Sequence, residues 1–204
     1  LAVILGDWQH DKRLAADPAL QEEIAEMTTQ VQRCKAIVSG ILLSAGEARG
    51  EESVQTTVRT FVDALAEEWR GTRSMPRFLY DNDFGADTPM VSDTTLKQMV
   101  FNVLDNARDA SPEWVRLGVT RHADVLRITV QDAGPGFAPE MLAKLGTPYQ
   151  STKNRPGRGL GLYLVLNVAR TLGGNVSARN RAEGGAEVKI DLPLAAVALP
   201  EVKG

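Results

Sequence analysis

Asn102 and Asn106 lie four residues apart in a stretch whose apolar residues recur at helical spacing. On a helix they share one face, beside the apolar stripe, so we expect them neither in the core nor facing open water. An amide oxygen is a hard, neutral ligand that suits Mg²⁺, which keeps most of its waters and bridges to phosphates. The alternative is that both are simply partly exposed polar residues.

Asp132 follows Leu126–Val130, an alternating stretch that predicts a strand. A carboxylate at a strand end can accept hydrogen bonds from an exocyclic amine. Gly134 and Gly136 would let the backbone turn tightly and approach a flat ring. An ordinary turn is the alternative, because Asp, Gly and Pro are common turn residues.

A third candidate is Gly-Arg-Gly-Leu-Gly-Leu at 157–162, at the start of a predicted helix. Exposed backbone N–H groups and the positive end of a helix dipole suit phosphate. The segment lacks the Lys-Ser/Thr ending of a P-loop, and no strand leads straight into it as in a Rossmann fingerprint. The polar loop before it, 146–156, could close over a nucleotide as a lid. Its polar residues include Tyr149, Ser151, Thr152, Lys153 and Arg155.

These segments need a scaffold that brings them together. Alternation predicts strands, and three- and four-residue spacing predicts helices. The predicted helices are Val54–Trp69, Asp93–Ala110 and Leu160–Leu172, the last stopped by Gly173-Gly174, and the predicted strands are Arg77–Tyr80, Val115–Val119, Leu126–Val130 and Ala186–Leu192. Strands side by side, with helices between and before them, predict a two-layer α/β sandwich with the helices on one sheet face.

The first fifty residues predict two helices, separated by a break at Asp17-Pro18. In the second helix, apolar residues from Ile24 to Ala45 follow a heptad seam. A hairpin this small cannot bury both faces alone, so we expect it to pair with a second copy in a four-helix bundle. Packing of the hairpin on its own domain is the alternative.

The expected fold class is therefore α+β: a helical hairpin, half of a dimeric four-helix bundle, followed by a two-layer α/β sandwich. We expect the hairpin over residues 1–48, a polar linker over 49–54 and the sandwich domain over 55–194. Residues 195–204 are assigned to a tail, and we expect the chain to be frayed after Pro193.

Composition excludes several classes of protein. With 43% hydrophobic and 24% charged residues in 204, the chain is neither disordered nor fibrous. A net charge of −3 argues against nucleic acid as a partner. A single cysteine excludes an internal disulfide and indicates a reducing cytosol. Two histidines are too few for most zinc sites. No apolar run reaches the ~20 residues that span a bilayer. Because the chain begins inside an apolar run without Met, we expect it to be part of a longer protein.

Taken together, the order of these motifs over Leu96–Leu192 resembles the ATP-binding domain of the sensor histidine kinases. That GHKL fold is shared with Hsp90, gyrase and MutL. The matching residues are Asn102, Asp105, Asn106 and Ala107 (N box), Asp132, Gly134 and Gly136 (G1 box), and Gly157, Gly159 and Gly161 (G2 box).

The resemblance implies that Asn106, with Asn102, holds Mg²⁺ and the phosphates of ATP, and that Asp132 accepts the adenine amine. The G2 backbone would border the phosphates. The nucleotide-binding residues implied in this way are Asn102, Asp105, Asn106, Asp132, Gly134, Gly136, Tyr149, Thr152, Lys153, Arg158, Gly159, Leu160, Gly161 and Leu162.

By the same resemblance, the chain is the kinase core of a two-component sensor. It would transfer the γ-phosphoryl of ATP to a histidine on the dimerisation helix, and from there to an aspartate on a response-regulator receiver domain. It would be a homodimer and the cytoplasmic portion of an inner-membrane sensor of a bacterium. Two alternatives are a nucleotide-binding dimeric switch without phosphotransfer and another GHKL ATPase. The second is disfavoured because Asn102 stands where those ATPases generally have a glutamate.

Three short segments, Leu1–Ile4, Asp17–Leu20 and Gln32–Cys34, are similar to the RegB/PrrB-type redox-responding sensor kinases. That similarity implies a redox role for Cys34. The alternative is that Cys34 is a small apolar residue in the helical seam.

The sequence also departs from the family. The phosphoacceptor histidine would lie before Leu1. His10 imitates the acceptor motif but lacks the following proline, which favours a solvated helix residue over an acceptor. His122, in a predicted hairpin turn, is interpreted as structural. Ala186 follows Gly185 where the family often has threonine, so one hydroxyl near the adenine is missing.

Overall fold

The computed structural model describes residues 54–73, 75–92, 94–143 and 161–199. The predicted helical hairpin, the linker up to Ser53, the lid and the glycine-rich segment up to Leu160 lie outside the described residues.

The centre of the described structure is a five-stranded sheet. In spatial order its strands are β2 (Phe78–Asp83), β4 (Val115–His122), β5 (Val125–Asp132), β7 (Ala186–Pro193) and β6 (Asn175–Asn180). β2 runs parallel to β4, and the other neighbours are antiparallel. A two-residue turn joins β4 to β5 and places Asp132 opposite Val115.

Three helices cover the sheet: α1 (Val58–Thr72), α2 (Thr94–Ala110) and α4 (Gly161–Thr171). α2 packs against α4, β4 and β5, whereas α1 packs against β2 and α4 against β6 and β7. Alternate residues of each central strand are buried against these helices, which confirms the predicted two-layer sandwich. The largest fully buried side chains are Trp69, Phe84, Leu65, Met90, Met99, Leu104, Leu117, Leu126, Ile128, Ile190 and Leu192.

The start of α1 differs from the prediction, which extended this helix back to Val54. Val54–Thr57 instead form strand β1, which pairs antiparallel with β3 (Pro89–Ser92) in a separate two-stranded sheet. Thr57 is the N-cap of α1, and its hydroxyl accepts a hydrogen bond from the backbone N–H of Thr60 at 3.3 Å. The helix therefore begins where a threonine can satisfy one of its free N–H groups.

The prediction of a frayed segment after Pro193 was also wrong for residues 194–199, the part of this segment that the structure describes. Residues Leu194–Val197 form the short helix α5, and Leu194 and Val197 are each only 5% exposed. The Leu194 N–H donates to the carbonyl of Asp124 at 2.8 Å. Two apolar side chains three residues apart thus tie this segment to the core.

Other boundaries shifted or were missed. The strand predicted at Arg77–Tyr80 is β2, which ends later, at Asp83. β3, β6 and the short helix α3 (Pro139–Ala143) were not predicted. The glycine stop of α4 is confirmed: Gly173 has a φ of +68°, a conformation that favours glycine. No helix within the described ranges is both long and apolar enough to span a membrane.

Candidate functional site

Asp132 is the last residue of β5, and it is only 5% exposed. Its Oδ1 accepts two backbone N–H hydrogen bonds, from Gly134 at 2.8 Å and from Ala186 at 3.3 Å. Within the described residues Oδ2 has no donor, so it can accept a hydrogen bond from a ligand. Burial raises the pKa of this carboxyl above its ordinary value, while the two N–H groups and Arg181 oppose that shift.

Two glycines let the chain close tightly around Asp132. A Cβ on Gly134 would lie 2.6 Å from the carbonyl oxygen of Ala110, the last residue of α2. A Cβ on Gly185, whose φ is +84°, would lie 1.9 Å from the carbonyl oxygen of Asp132. No side chain fits at either position, so both glycines are required by close backbone approach.

Gly136 is held by a residue that the sequence did not single out. Its φ is +78°, and a Cβ there would lie 2.7 Å from Oδ1 of Asn180. The Asn180 side chain accepts the Phe137 N–H at 2.7 Å and donates to the Phe137 carbonyl at 2.9 Å. Asn180 therefore fixes the far end of the loop that follows Asp132. A polar residue at the end of a strand gives no sequence signal for this role.

The two asparagines of α2 differ in exposure. Asn102 is half-buried, as expected, and its Oδ1 accepts a hydrogen bond from Nε2 of Gln98 at 3.2 Å. Asn106 is exposed, so the expectation that both asparagines avoid open water was wrong for this residue. Asn106 lies near the end of α2, beside the start of α4. A Cβ on Gly161 would lie 3.2 Å from Nδ2 of Asn106.

Asp105, next to Asn106, is turned toward α1. Its Oδ1 accepts hydrogen bonds from Nε1 of Trp69 at 3.1 Å and Nε of Arg73 at 3.0 Å, and Oδ2 accepts from Nη2 of Arg73 at 3.3 Å. Arg108 lies 3.5 Å from the same carboxylate. Both oxygens of this carboxylate therefore accept hydrogen bonds from Trp69 or Arg73, and these bonds hold the end of α1 against α2.

Two contacts of α2 link separate segments of the predicted site. α2 touches the loop after β5 through Ala110, and the start of α4 through Asn106. Leu162 is partly buried and packs against the core. Outside the described residues lie Tyr149, Thr152, Lys153, Gly157, Arg158, Gly159 and Leu160, as do His10 and Cys34.

The donor groups present fit a magnesium ion that is bound mainly through phosphates. Asn102 and Asn106 offer neutral amide oxygens, which suit a hard cation that keeps most of its waters. Within the described ranges, no cluster of three or more His, Cys, Asp or Glu side chains could hold a metal by itself. Any magnesium here would therefore depend on a second ligand, such as a nucleotide.

Two further predicted features concern Ala186 and His122. The hydroxyl expected near adenine is absent at Ala186, which instead contributes its backbone N–H to Asp132. His122 is exposed and lies at the opposite end of β4 from Val115, the partner of Asp132. Its distance from the site agrees with a structural interpretation.

Comparisons with known proteins agree with this arrangement. Residues 92–196 match the family described as histidine kinase-, DNA gyrase B-, and HSP90-like ATPase. The C4-dicarboxylate transport sensor protein DctB of Pseudomonas aeruginosa is 33% identical over 195 residues, which cover 90% of this chain and 30% of DctB. This chain therefore spans about a third of the length of that relative.

Solved structures share the fold. Full-length ShkA in complex with AMPPNP has a TM-score of 0.64 at 21% identity, covering 90% of this chain and 40% of ShkA. The histidine kinase ThkA in complex with the response regulator protein TrrA has a TM-score of 0.64 at 22% identity, covering 95% and 57% of the two chains. The family match spans just over half of the 204 residues, and this chain therefore belongs to the histidine kinase-, DNA gyrase B-, and HSP90-like ATPases.

Proposed function

We propose that this chain binds Mg·ATP beside Asp132 and Asn106 and serves as the kinase part of a two-component sensor. One observation carries the proposal: the buried Asp132 carboxylate has Oδ1 occupied by two backbone N–H groups and Oδ2 without a donor among the described residues. An acceptor held this way at the mouth of a glycine-lined turn suits an exocyclic amine of a purine. The ATPase family of residues 92–196 supports the same ligand.

The proposed roles follow from residue chemistry. Asp132 selects adenine, and Gly134 and Gly185 let the backbone close tightly around this carboxylate. Asn106 and Asn102 hold the magnesium ion, which neutralises phosphate charge when bound. Gly161, against Asn106, places the start of α4 and its backbone N–H groups beside the phosphates. Tyr149, Thr152, Lys153 and the segment from Arg158 to Leu160, all outside the described residues, complete the proposed site.

The proposed reaction is phosphoryl transfer, in which positioning and charge neutralisation supply most of the catalysis. The bond between the γ-phosphorus and the bridging oxygen of ATP breaks, ADP leaves, and a bond forms to an imidazole nitrogen of the acceptor histidine. The phosphoryl group then moves to an aspartate carboxylate of a receiver domain. The complex of ThkA with TrrA supports a receiver domain as the partner.

The remaining parts of the proposal concern organisation. Residues 1–48 form the dimerisation hairpin of a homodimer, 49–54 the linker and 55–194 the ATP-binding domain. The acceptor histidine lies before Leu1 rather than at His10. The parent protein is an inner-membrane sensor of a bacterium, and this chain lies on its cytoplasmic side.

A finer proposal is that the protein is of the RegB/PrrB type and that Cys34 responds to oxidants. Its support is the sequence similarity of Leu1–Ile4, Asp17–Leu20 and Gln32–Cys34 to those kinases. Oxidation of the purified chain should give a disulfide-linked dimer on a non-reducing gel, and Cys34→Ser should abolish that dimer. A monomer band for the oxidised parent would contradict the redox role.

The experiment that tests the main proposal is calorimetric titration of the purified chain with ADP and magnesium. We expect saturable binding to the parent, and loss of binding on Asp132→Asn and on Asn106→Asp. The chain should not label itself with [γ-³²P]ATP, but should label an added peptide that carries an acceptor helix. Binding without transfer to the peptide would favour a nucleotide-responsive switch, and absence of ADP binding would overturn the proposal.

A further inference from the structure

The peptide unit between Asp132 and Ala133 is held at both of its polar atoms by side chains from distant parts of the chain. Its carbonyl oxygen accepts a hydrogen bond from Nη1 of Arg181 at 3.1 Å. Its N–H donates to Oγ of Ser111 at 3.2 Å. Because a peptide unit is planar, fixing both atoms fixes its rotation.

Ser111 is fully buried, with 0% exposure, directly after α2. Its hydroxyl both accepts the Ala133 N–H and donates to the carbonyl of Trp114 at 3.0 Å. A buried hydroxyl with both functions satisfied is a fixed point in the structure. Ser111 therefore anchors the loop after β5 to the end of α2.

Arg181 lies in the turn between β6 and β7 and binds the other polar atom of this peptide, the carbonyl oxygen of Asp132. Its Nη1 also donates to the carbonyl of Gly184 at 3.2 Å, and its guanidinium lies 5.0 Å from the ring centre of Trp114. Its side chain is 18% exposed, and Glu183 lies 3.6 Å away. A guanidinium with several donors in a fixed plane can bind two carbonyls and stack on an indole together, which a lysine cannot reproduce in full.

We propose that Arg181, together with Ser111, is a positioning residue for base recognition by Asp132. With the peptide fixed, the Cα–Cβ bond of Asp132 has one direction, and the N–H groups of Gly134 and Ala186 then fix Oδ1. Oδ2 is left without a donor among the described residues and is the oxygen proposed to accept the amine. This inference rests on the proposed function, since it assigns Arg181 to the selection of the purine rather than to the binding of phosphates.

The test compares ADP with inosine diphosphate, which has the same diphosphate but a carbonyl in place of the exocyclic amine. The parent should prefer ADP. Arg181→Met removes both hydrogen bonds and should lower the ratio of the two affinities by about tenfold, the size expected when a hydrogen bond to a charged group is misplaced. Arg181→Lys keeps a cation beside Trp114 and should retain part of the preference.

Arg116→Met is the matched control. Arg116 is on β4 and lines the same cavity as Arg181, but its side chain is 49% exposed and pairs with Asp81 at 3.5 Å. This variant should keep the parent's ratio. Ser111→Ala is the second test of the same peptide, because it removes the partner of the Ala133 N–H. The ratio of its affinities for ADP and inosine diphosphate should fall as well.

The outcomes separate this inference from the proposed function. If the parent fails to bind ADP, the proposed function is wrong and the inference is wrong with it. If the parent prefers ADP and folded Arg181→Met keeps the same preference, the inference alone is wrong. General loosening of the domain would weaken ADP and inosine diphosphate equally, so an unchanged ratio with weaker binding of both would also reject the positioning role.

Discussion

Gly161, the first residue of α4, lies against the side-chain amide of Asn106 in α2, and a Cβ on Gly161 would come within 3.2 Å of Nδ2 of Asn106. This separation is shorter than an ordinary van der Waals contact, so a methyl group there would push the amide aside. The residue that begins α4 and the residue proposed to hold magnesium are therefore coupled by packing.

Gly161→Ala should accordingly weaken nucleotide binding without unfolding the domain. Alanine is a better helix former than glycine, so the free energy of unfolding should change by less than about 1 kcal/mol. Displacement of the Asn106 amide should reduce ADP affinity by about tenfold, or about 1.4 kcal/mol. Calorimetric titration and urea unfolding measure the two effects separately.

Gly71→Ala is the control for this substitution. Gly71 lies in the last turn of α1, and a Cβ there would meet nothing within 4 Å. The variant should gain about 0.5–1 kcal/mol of stability and bind ADP like the parent. Unaltered ADP affinity in Gly161→Ala would show that Asn106 does not depend on this contact.

Asp132 gives a pH dependence whose sign follows from its raised pKa. The native carboxyl has a pKa above the ordinary value of 3.8, chiefly because burial disfavours the charge. The folded state therefore takes up a proton at higher pH than the unfolded state does, and this residue's contribution to stability rises as pH falls from the native pKa toward 3.8. Asp132→Asn carries no charge to titrate.

The free energy of unfolding of Asp132→Asn should thus exceed that of the parent by the largest amount near neutral pH. This difference should shrink as pH falls. Urea unfolding of both proteins from about pH 7 to about pH 4 gives the difference in free energy as a function of pH. A difference that stays flat or grows as pH falls would contradict the raised pKa. The substituted amide would still present its oxygen to the two backbone N–H groups, so the variant should fold.

Local patterns were enough to place the candidate residues on their elements. The alternating strand before Asp132 and the apolar stripe around Asn106 are periodic, and burial of one face requires that periodicity. The glycine stop at Gly173 followed from the same kind of local rule. These features depend on neighbours in sequence, so they can be inferred without the fold.

The unpredicted features depend on distant partners. β1 pairs Val54 with Ser92, and both strands have only four residues, too few for a periodic signal. Arg181 acts on a carbonyl 49 residues away in the chain. Nothing in the residue type of an arginine in a turn identifies its partner, and only the sheet order β5-β7-β6 brings the two together.

Asp105 and Asn106 are adjacent in sequence but should behave in opposite ways when mutated. Asp105→Ala would leave the indole N–H of Trp69 without its acceptor, and Trp69 is 0% exposed. Loss of that bond and of the pairing with Arg73 should cost about 1–3 kcal/mol of stability. ADP affinity of the folded protein should be retained, because this carboxylate faces α1.

Asn106→Ala is the reciprocal variant. Its side chain is exposed, so its removal should change stability by less than about 0.5 kcal/mol while ADP binding is lost. Thermal or urea unfolding with calorimetric titration of both variants gives the comparison. Loss of ADP binding in folded Asp105→Ala would instead place Asp105 among the nucleotide-binding residues.

The segment after Pro193 offers a test of where the ATP-binding domain ends. Leu194 is 5% exposed, its N–H is bonded to Asp124, and Ala198 forms an antiparallel bridge with Met90, which is fully buried. Leu194→Ala removes a buried side chain but keeps the backbone bond, and it should cost about 2–3 kcal/mol in urea unfolding.

Ala195→Ser is the matched control for Leu194→Ala, because Ala195 is the exposed neighbour in the same short helix, and it should change stability by less than about 0.5 kcal/mol. A frayed segment would leave both variants as stable as the parent, since side chains in water contribute little to folding. Destabilisation by Leu194→Ala alone would extend the folded domain beyond residue 194 through α5. β3 would then be joined to the residues that follow α5, because the Leu199 N–H donates to the carbonyl of Pro89 at 3.1 Å.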